Sequence, residues 1–253
     1  MWGIIPAAGA GSRIQPLAFS KELLPVGCRI TDGNERPRAV SEYLIDRFVK
    51  CGADKICFVI SPGKCDIVEY YGSSAFNATF VYVVQEHPQG LCDAIFRALP
   101  LIDPRESVVV GLPDTVWFPE DGLCYLPDDV LSFLLFPVSR PQLFDAVVTD
   151  DNDYIREIQV KCQDPATSWV WGAFRSPGCV LHELYRLWNQ PSRKDEYIGS
   201  LVNAWIANGG AARGVHAGSS YVDVGTLGGY REALTALAPA ETRSQEFSTN
   251  DKD

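Results

Sequence analysis

The chain is 253 residues long, enough for one large domain or two small ones, and it can bury a full hydrophobic core without disulfides or structural metals. It has 22 Lys and Arg against 32 Asp and Glu, and the net charge of −10 argues against nucleic acid or an anionic membrane surface as the main partner. A polyanionic substrate would need positive side chains and a metal ion gathered locally.

The eight cysteines have neither a C-x-x-C pair nor a metal-ligand spacing. Strand-like residues begin at Trp2, which indicates that no signal peptide precedes them. We therefore interpret the cysteines as free thiols in a reducing cytoplasm. The longest apolar stretch, residues 131–136, has the size of a strand and is shorter than the roughly 18 residues of a membrane helix, so no membrane partner is expected.

The amino-terminal stretch contains the densest group of candidate binding residues. Residues 2–5 are a short apolar run that predicts a buried strand, and a glycine-rich segment, residues 6–12, follows at once. Gly9 and Gly11 let a ligand approach the main chain, and successive N–H groups in such a turn form a concave anion site. Arg13 and Lys21 add two positive charges. We name residues 6–12 the cradle loop and expect it to bind polyphosphate.

Two familiar phosphate-binding patterns do not fit the cradle loop. Ile14 stands at the third glycine position of the dinucleotide fingerprint, and no Gly-Lys-Ser/Thr follows four spacers as a P-loop requires. On the glycines alone, an ordinary strand-to-loop turn remains an alternative.

The rest of the first half alternates helices and strands. Periodic apolar residues predict helices, and short apolar runs predict strands. The helices are expected at 37–51, 65–71 and 91–99, and the strands at 55–60, 79–84 and 107–110. This order predicts a mostly parallel sheet whose ligands lie beyond the carboxyl ends of the strands. The cradle loop, the loop 85–90 and Asp114 are all expected at that edge.

The second half is richer in β-structure. Strands are expected at 131–138, 146–149, 154–160, 169–174, 214–216 and 221–224, and helices at 180–188, 197–207 and 230–237. No internal repeat or linker divides the chain. We therefore expect one domain over residues 1–238 and a flexible polar tail over 239–253.

Two aspartates are candidate metal ligands. Asp114 ends a strand at the expected ligand edge, and Mg²⁺ is commonly held by one or two carboxylates plus substrate phosphates. Asp223 lies inside a β-rich run, where a carboxylate requires a nearby cation. A surface turn remains an alternative for Asp114, and a helix-entry carboxylate for Asp223.

The string Gly9-Ala-Gly-Ser-Arg13, followed by Ser20-Lys-Glu-Leu-Leu-Pro-Val26, resembles the signature of the sugar-1-phosphate nucleotidylyltransferases. Its motifs are most similar to those of the glucose-1-phosphate uridylyl- and thymidylyltransferases. The resemblance implies an α/β fold: a Rossmann-like mixed, mostly parallel sheet flanked by helices, with a smaller β-rich sugar-binding part. The nucleotide-binding half would span about 1–116 and the sugar-phosphate-binding half about 131–237.

The resemblance implies a reaction and a role for each matching residue. A nucleotidyl group passes from UTP or dTTP to a sugar-1-phosphate with Mg²⁺ as cofactor, which gives an NDP-sugar and pyrophosphate. Arg13 and Lys21 would be catalytic, and Asp114 and Asp223 would bind the metal. The nucleotide-binding residues would be Ala8, Gly9, Gly11, Ser12, Gln85, Pro88 and Gly90. The sugar-phosphate-binding residues would be Asp145, Lys161, Gly172 and Glu196. Association into a homo-oligomer is left open.

Three positions depart from the family pattern. Ser20 replaces the usual proline before the lysine, Asp145 replaces a glycine, and Val160 replaces a glutamate beside Lys161. The departures concern the sugar pocket more than the phosphate site, and Asp145 suggests a substrate with an amino group, which a carboxylate would pair. Trp169 and Trp171, which would lie on the same face of a strand, are both candidate walls of the sugar pocket, with core packing as the alternative.

Two other functions are compatible with the same fold. One is transfer of a cytidylyl group to a non-sugar phosphate such as phosphocholine, and the other is a catalytically silent nucleotide-sugar sensor. Retention of the two basic residues, the two aspartates and Lys161 argues against silence, because a sensor need not keep both metal ligands.

Overall fold

The computed structural model describes residues 1–238, so the tail expected at 239–253 lies outside the described residues. The strands are β1 (Trp2–Pro6), β2 (Pro25–Thr31), β3 (Asn34–Ala39), β4 (Lys55–Ile60), β5 (Ser74–Ala75), β6 (Ala78–Val84), β7 (Ser107–Gly111), β8 (Thr115–Phe118), β9 (Leu131–Pro137), β10 (Ala146–Thr149), β11 (Ile155–Gln159), β12 (Trp169–Pro177), β13 (Ala212–Val215) and β14 (Ser220–Asp223). The helices are α1 (Val40–Lys50), α2 (Cys65–Tyr71), α3 (Gly90–Arg97), α4 (Gly178–Trp188), α5 (Ile198–Ala207) and α6 (Leu227–Ala236).

Ten strands form one sheet to which both halves of the chain contribute. Its order is β11-β10-β12-β7-β1-β4-β6-β5, and β9 joins at β12 with β13 beside it. The strands β7, β1, β4 and β6 are parallel, as the alternating order of the first half predicts. The second half enters through β12, which pairs antiparallel with β7 and β9. The fold class expected from the sequence is confirmed.

Helices cover both faces of this sheet. One buried cluster lies under α3, α4 and α5, and a second lies under α1 and α2. Two strand glycines let α1 approach closely, because a Cβ at Gly3 would lie 2.4 Å from Phe48 Cδ2 and one at Gly111 would lie 2.5 Å from Leu44 Cδ1. Within residues 1–238, none of the helices is both long and apolar enough to span a bilayer.

Two small sheets lie outside the main one, and neither is predicted by the sequence pattern. Strands β2 and β3 form an antiparallel hairpin, and β8 pairs antiparallel with β14. The helix expected at 37–51 is wrong at its start, because residues up to Ala39 pair with β2 and α1 begins at Val40. A third apolar cluster fills the space between the hairpin, α1, β8 and α6.

Candidate active site

The cradle loop follows β1 at the carboxyl edge of the sheet, where the sequence predicts it. Gly11 has a φ of 66°, a conformation that costs a side-chain-bearing residue roughly 1–2 kcal/mol. A Cβ at this position would lie 2.8 Å from Lys21 Cδ, so the glycine allows the lysine to cross the loop closely. Gly9 has no atom within 4 Å of a notional Cβ and faces open space.

Two ion pairs join the cradle loop region to the two predicted metal ligands. Lys21 Nζ lies 2.5 Å from Asp114 Oδ2, with side chains only 15% and 11% exposed. Arg13 Nη1 lies 3.1 Å from Asp223 Oδ2 across 210 residues of chain. Burial by itself lowers the pKa of Lys21, but the charge and hydrogen bond of Asp114 outweigh it and raise that pKa above its usual value. Lys21 is therefore a cation at neutral pH.

The unpredicted pairing of β8 with β14 brings the two aspartates together. Asp223 lies opposite Thr115 in this ladder, and the Val224 N–H donates to the Asp114 carbonyl at 2.8 Å. The Gly225 N–H donates to Asp223 Oδ1 at 2.8 Å. A Cβ at Gly225 would lie 2.7 Å from Asp114 Oδ2 and 2.8 Å from Asp223 Oδ1, so the glycine leaves the space between the carboxylates free.

The donor set fits a magnesium ion that is shared with a phosphate substrate. Mg²⁺ prefers oxygen ligands and is usually bound through one or two carboxylates plus substrate phosphates and water. Asp114 and Asp223 supply two such carboxylates on neighbouring segments. Among residues 1–238 no three His, Cys, Asp or Glu side chains are grouped as a metal cage, so an ion here would depend on the substrate for its remaining ligands.

A cavity of about 420 Å³ surrounds the two ion pairs. Its lining includes Gly9, Arg13, Lys21, Asp114, Asp145, Lys161, Trp171, Tyr221 and Asp223. The Lys161 N–H donates to Asp145 Oδ1 at 3.3 Å, and Lys161 Nζ lies 5.4 Å from the Tyr197 ring centre. Asp145 and Lys161 are brought together by the antiparallel register of β10 and β11, in which Ala146 lies opposite Gln159. The cavity thus joins the predicted phosphate and sugar-phosphate residues.

A second cavity of about 320 Å³ adjoins the first, since Pro6 and Gly9 line both. Its lining includes Ala8, Gln85, Pro88, Gly90 and Glu196, so most of the predicted nucleotide-binding residues lie together. Glu196, expected on the sugar side, lies in this second cavity, and its carbonyl accepts the Leu91 N–H at 2.9 Å.

Gly11, Ser12 and Gly172 line neither cavity, and the roles of all the predicted site residues stay predictions. Ser12 is exposed on the cradle loop. Gly172 lies behind the cavity wall, where a Cβ would be 2.4 Å from Tyr221 Cε2, so this glycine lets Tyr221 pack closely. Val160 is also turned away, because its Cγ2 packs against Gly199 of α5. Trp171 lines the cavity, whereas Trp169 packs on the His216 ring.

Two features of the site are not among the residues predicted from the sequence. Tyr221 lines the cavity, and burial together with the charges of Asp223 and Asp114 raises the pKa of its hydroxyl well above 10, so the hydroxyl keeps its proton. The alternating strand pattern around Asp223 could have marked Tyr221, which lies two residues away on the same strand face. The other feature is Glu22, which is fully buried next to Lys21 and forms a hydrogen-bonded ion pair with Lys64. No sequence pattern indicates the Glu22–Lys64 pair.

A glycine-rich loop after the first strand, two basic–acidic pairs and two adjoining cavities are the features expected of a nucleotide-binding α/β enzyme. The chain belongs to the nucleotidyl transferase family, whose model matches residues 2–239, and it is a nucleotidyltransferase. The family expected from the amino-terminal motif is therefore confirmed.

Relatives and solved structures agree with this assignment. The chain is 24% identical over 260 residues to the UTP–glucose-1-phosphate uridylyltransferase AglF of Haloferax volcanii, which covers 97% of this chain and 100% of the relative. It is 24% identical to the glucose-1-phosphate thymidylyltransferase of Mycolicibacterium smegmatis, over 96% of this chain and 84% of the relative. The solved structure of UTP-bound UGPase from Acinetobacter baumannii has the same fold, with a TM-score of 0.76, 17% identity and coverage of 98% and 99%.

Proposed function

We propose that this protein transfers a uridylyl or thymidylyl group from UTP or dTTP to a sugar-1-phosphate and releases pyrophosphate. The observation that carries the proposal is the meeting of Lys21–Asp114 and Arg13–Asp223 in one cavity with Gly9. This arrangement offers two cations for a triphosphate and two carboxylates for a metal ion. The names of the relatives, which act with UTP or as thymidylyltransferases on glucose-1-phosphate, support the choice of substrates.

The reaction needs no protein nucleophile. A phosphate oxygen of the sugar-1-phosphate attacks the α-phosphorus of the triphosphate, and the bond from that phosphorus to the bridging oxygen breaks, so that pyrophosphate leaves with the electron pair. Catalysis then rests on positioning and on neutralising charge.

Each basic side chain of the cavity has a separate task in this scheme. Arg13, whose side chain is 61% exposed, binds the triphosphate at the mouth of the cavity. Lys21 stabilises charge that develops around the α-phosphate, and Lys161 holds the attacking phosphate. Asp114 and Asp223 would hold Mg²⁺, which when bound supplies charge neutralisation and orients the two phosphates.

Asp145 bears on the class of sugar that the protein accepts. Its carboxylate lines the cavity, and its one described partner there is the Lys161 N–H rather than a cation. An amino group on the sugar would pair with this carboxylate. We therefore propose an amino-sugar phosphate as the preferred acceptor, with glucose-1-phosphate as the reference.

Pyrophosphate release measured over a grid of five nucleoside triphosphates and a panel of phosphates tests the proposal. The panel contains glucose-1-phosphate, glucosamine-1-phosphate, galactose-1-phosphate and phosphocholine. We expect release with UTP or dTTP and a sugar-1-phosphate. Release confined to CTP and phosphocholine would support the cytidylyltransferase instead. Binding of UTP without release from any pair would support the sensor.

A further inference from the structure

The residues on both sides of Lys21, Ser20 and Glu22, are hydrogen-bonded to one segment, residues 61–66. The Ser20 N–H donates to Asp66 Oδ2 at 2.6 Å, and the Ser20 hydroxyl donates to Asp66 Oδ1 at 2.7 Å. On the other side, Lys64 Nζ donates to both carboxylate oxygens of Glu22 at 2.8 Å. Lys21 itself pairs with Asp114 in the active-site cavity.

The same segment is also tied to the cradle loop. Lys64 Nζ donates to the Ala7 carbonyl at 2.6 Å, and Lys64 and Glu22 are both buried. Asp66 does not line the active-site cavity and lines instead a cavity of about 410 Å³ that shares no lining residue with it. Asp66 can therefore act on the reaction only through the residues that it holds.

The backbone of Ser20 explains why a carboxylate is needed here. Ser20 has a φ of −60°, the angle to which a proline ring would lock this position covalently. A serine leaves φ free, but it also supplies the backbone N–H and the hydroxyl that a proline lacks. Ser20 is only 7% exposed, so both donors need partners inside the protein, and Asp66 accepts from both.

We infer that Asp66 is a positioning residue, which holds the backbone at Ser20 so that Lys21 faces Asp114 and the reacting phosphates. Two charge-assisted hydrogen bonds replace the covalent restraint that a proline would give. The role of this contact in catalysis rests on the proposed function, whereas its effect on the placement of Lys21 does not.

Steady-state kinetics test the catalytic side of this inference. Because a shift of about 1 Å in a catalytic group costs up to about 10²-fold, we expect Asp66→Ala to lower kcat about ten- to a hundredfold with little change in KM. Adding Ser20→Pro to Asp66→Ala should restore most of kcat, since the ring fixes the same φ. Asp66→Ala should have no further effect in a Lys21→Ala background.

Chemical labelling of Lys21 tests the placement without requiring activity. An amine-reactive ester, with peptide mass spectrometry as the readout, should label Lys21 slowly in the unaltered protein, faster in Asp66→Ala, and slowly again after addition of Ser20→Pro. Asp150→Ala is the matched control, because Asp150 also accepts two local hydrogen bonds, from the Asn152 and Tyr154 N–H groups, but lies in the β10–β11 turn.

Three results would each overturn the inference. The first is a kcat for Asp66→Ala within twofold of the unaltered protein. The second is that Asp66→Ala lowers kcat as much in the Lys21→Ala background as in the unaltered protein, and the third is that Asp66→Ala leaves the labelling rate of Lys21 unchanged. Failure of Ser20→Pro to restore kcat and labelling, in a double variant with an unaltered melting temperature, also overturns it. An unaltered protein that is inactive with every substrate pair refutes the proposed function, and labelling then still decides where Lys21 lies.

Discussion

Replacement of Lys21 by alanine is the sharpest single test of the active site. The Nζ of Lys21 lies 2.5 Å from Asp114 and is largely shielded from water, so its charge acts through a medium of lower effective permittivity than bulk solvent. Loss of one such charge-stabilising donor typically costs about 10²–10³ in kcat, or roughly 2.7–4 kcal/mol of transition-state stabilisation. We expect Lys21→Ala to lose activity on this scale.

The assay is pyrophosphate release at saturating UTP and sugar-1-phosphate, which isolates kcat from substrate affinity. Lys50→Ala is the matched control, because Lys50 also pairs with a carboxylate, Glu120, but both side chains are 47% exposed. Such a surface pair contributes little, so the control should retain full activity. A folded Lys21→Ala protein with a kcat within threefold of the control would refute the assignment of charge stabilisation to Lys21.

Four further variants probe the remaining parts of the site. Gly11→Ala should lower both kcat and the melting temperature, because an alanine would be strained at this positive φ and its Cβ would collide with Lys21 Cδ. Unchanged kinetics would contradict this packing argument. Asp223→Asn should raise the Mg²⁺ concentration needed for half-maximal activity, and full activity in excess EDTA would exclude the metal site. Asp145→Gly should lower kcat/KM for glucosamine-1-phosphate relative to glucose-1-phosphate by about tenfold, as expected for one charge-assisted hydrogen bond, and an unchanged ratio would count against the amino-sugar substrate. Partial burial raises the pKa of Asp66, but hydrogen bonds from Ser20 and Ile67 lower it below its usual value. Because this pKa is depressed in the folded state, the stabilisation exists above the unfolded pKa of about 3.9 and disappears as pH falls through the folded pKa. Asp66→Asn should therefore lower the melting temperature at pH 7, and the difference from the unaltered protein should shrink as pH falls below about 3.9; an equal difference at pH 7 and pH 3 would refute this.

Several parts of the site could be predicted because they depend on local chemistry or on general rules of sheet topology. The glycines and basic residues of the cradle loop stand close together in the sequence and match one motif. The carboxyl ends of parallel strands meet at one edge, so the cradle loop, the loop 85–90 and Asp114 could be placed together without knowing the strand order.

The strands that the sequence does not predict are those with a weak local pattern of apolar residues. Strand β3 has the sequence Asn-Glu-Arg-Pro-Arg-Ala, which has no alternation of apolar residues because the hairpin is mostly exposed. Its last residues were assigned to the following helix for that reason. Strand β8 has only four residues and follows a proline and Asp114 directly, so it resembled the end of a loop.

By itself, the sequence determined the order of elements, the family and the chemical type of most site residues, because periodicity and short motifs are local properties. Only the tertiary structure decided which of these site residues contact one another. Asp223, with its partner Arg13, lies beside Asp114, with its partner Lys21, because β14 pairs with β8, a contact whose register depends on side-chain packing between distant segments. The contact between Asp66 and Ser20 could not be predicted from the sequence either, since it joins the loop before β2 to the first turn of α2, 46 residues further along the chain.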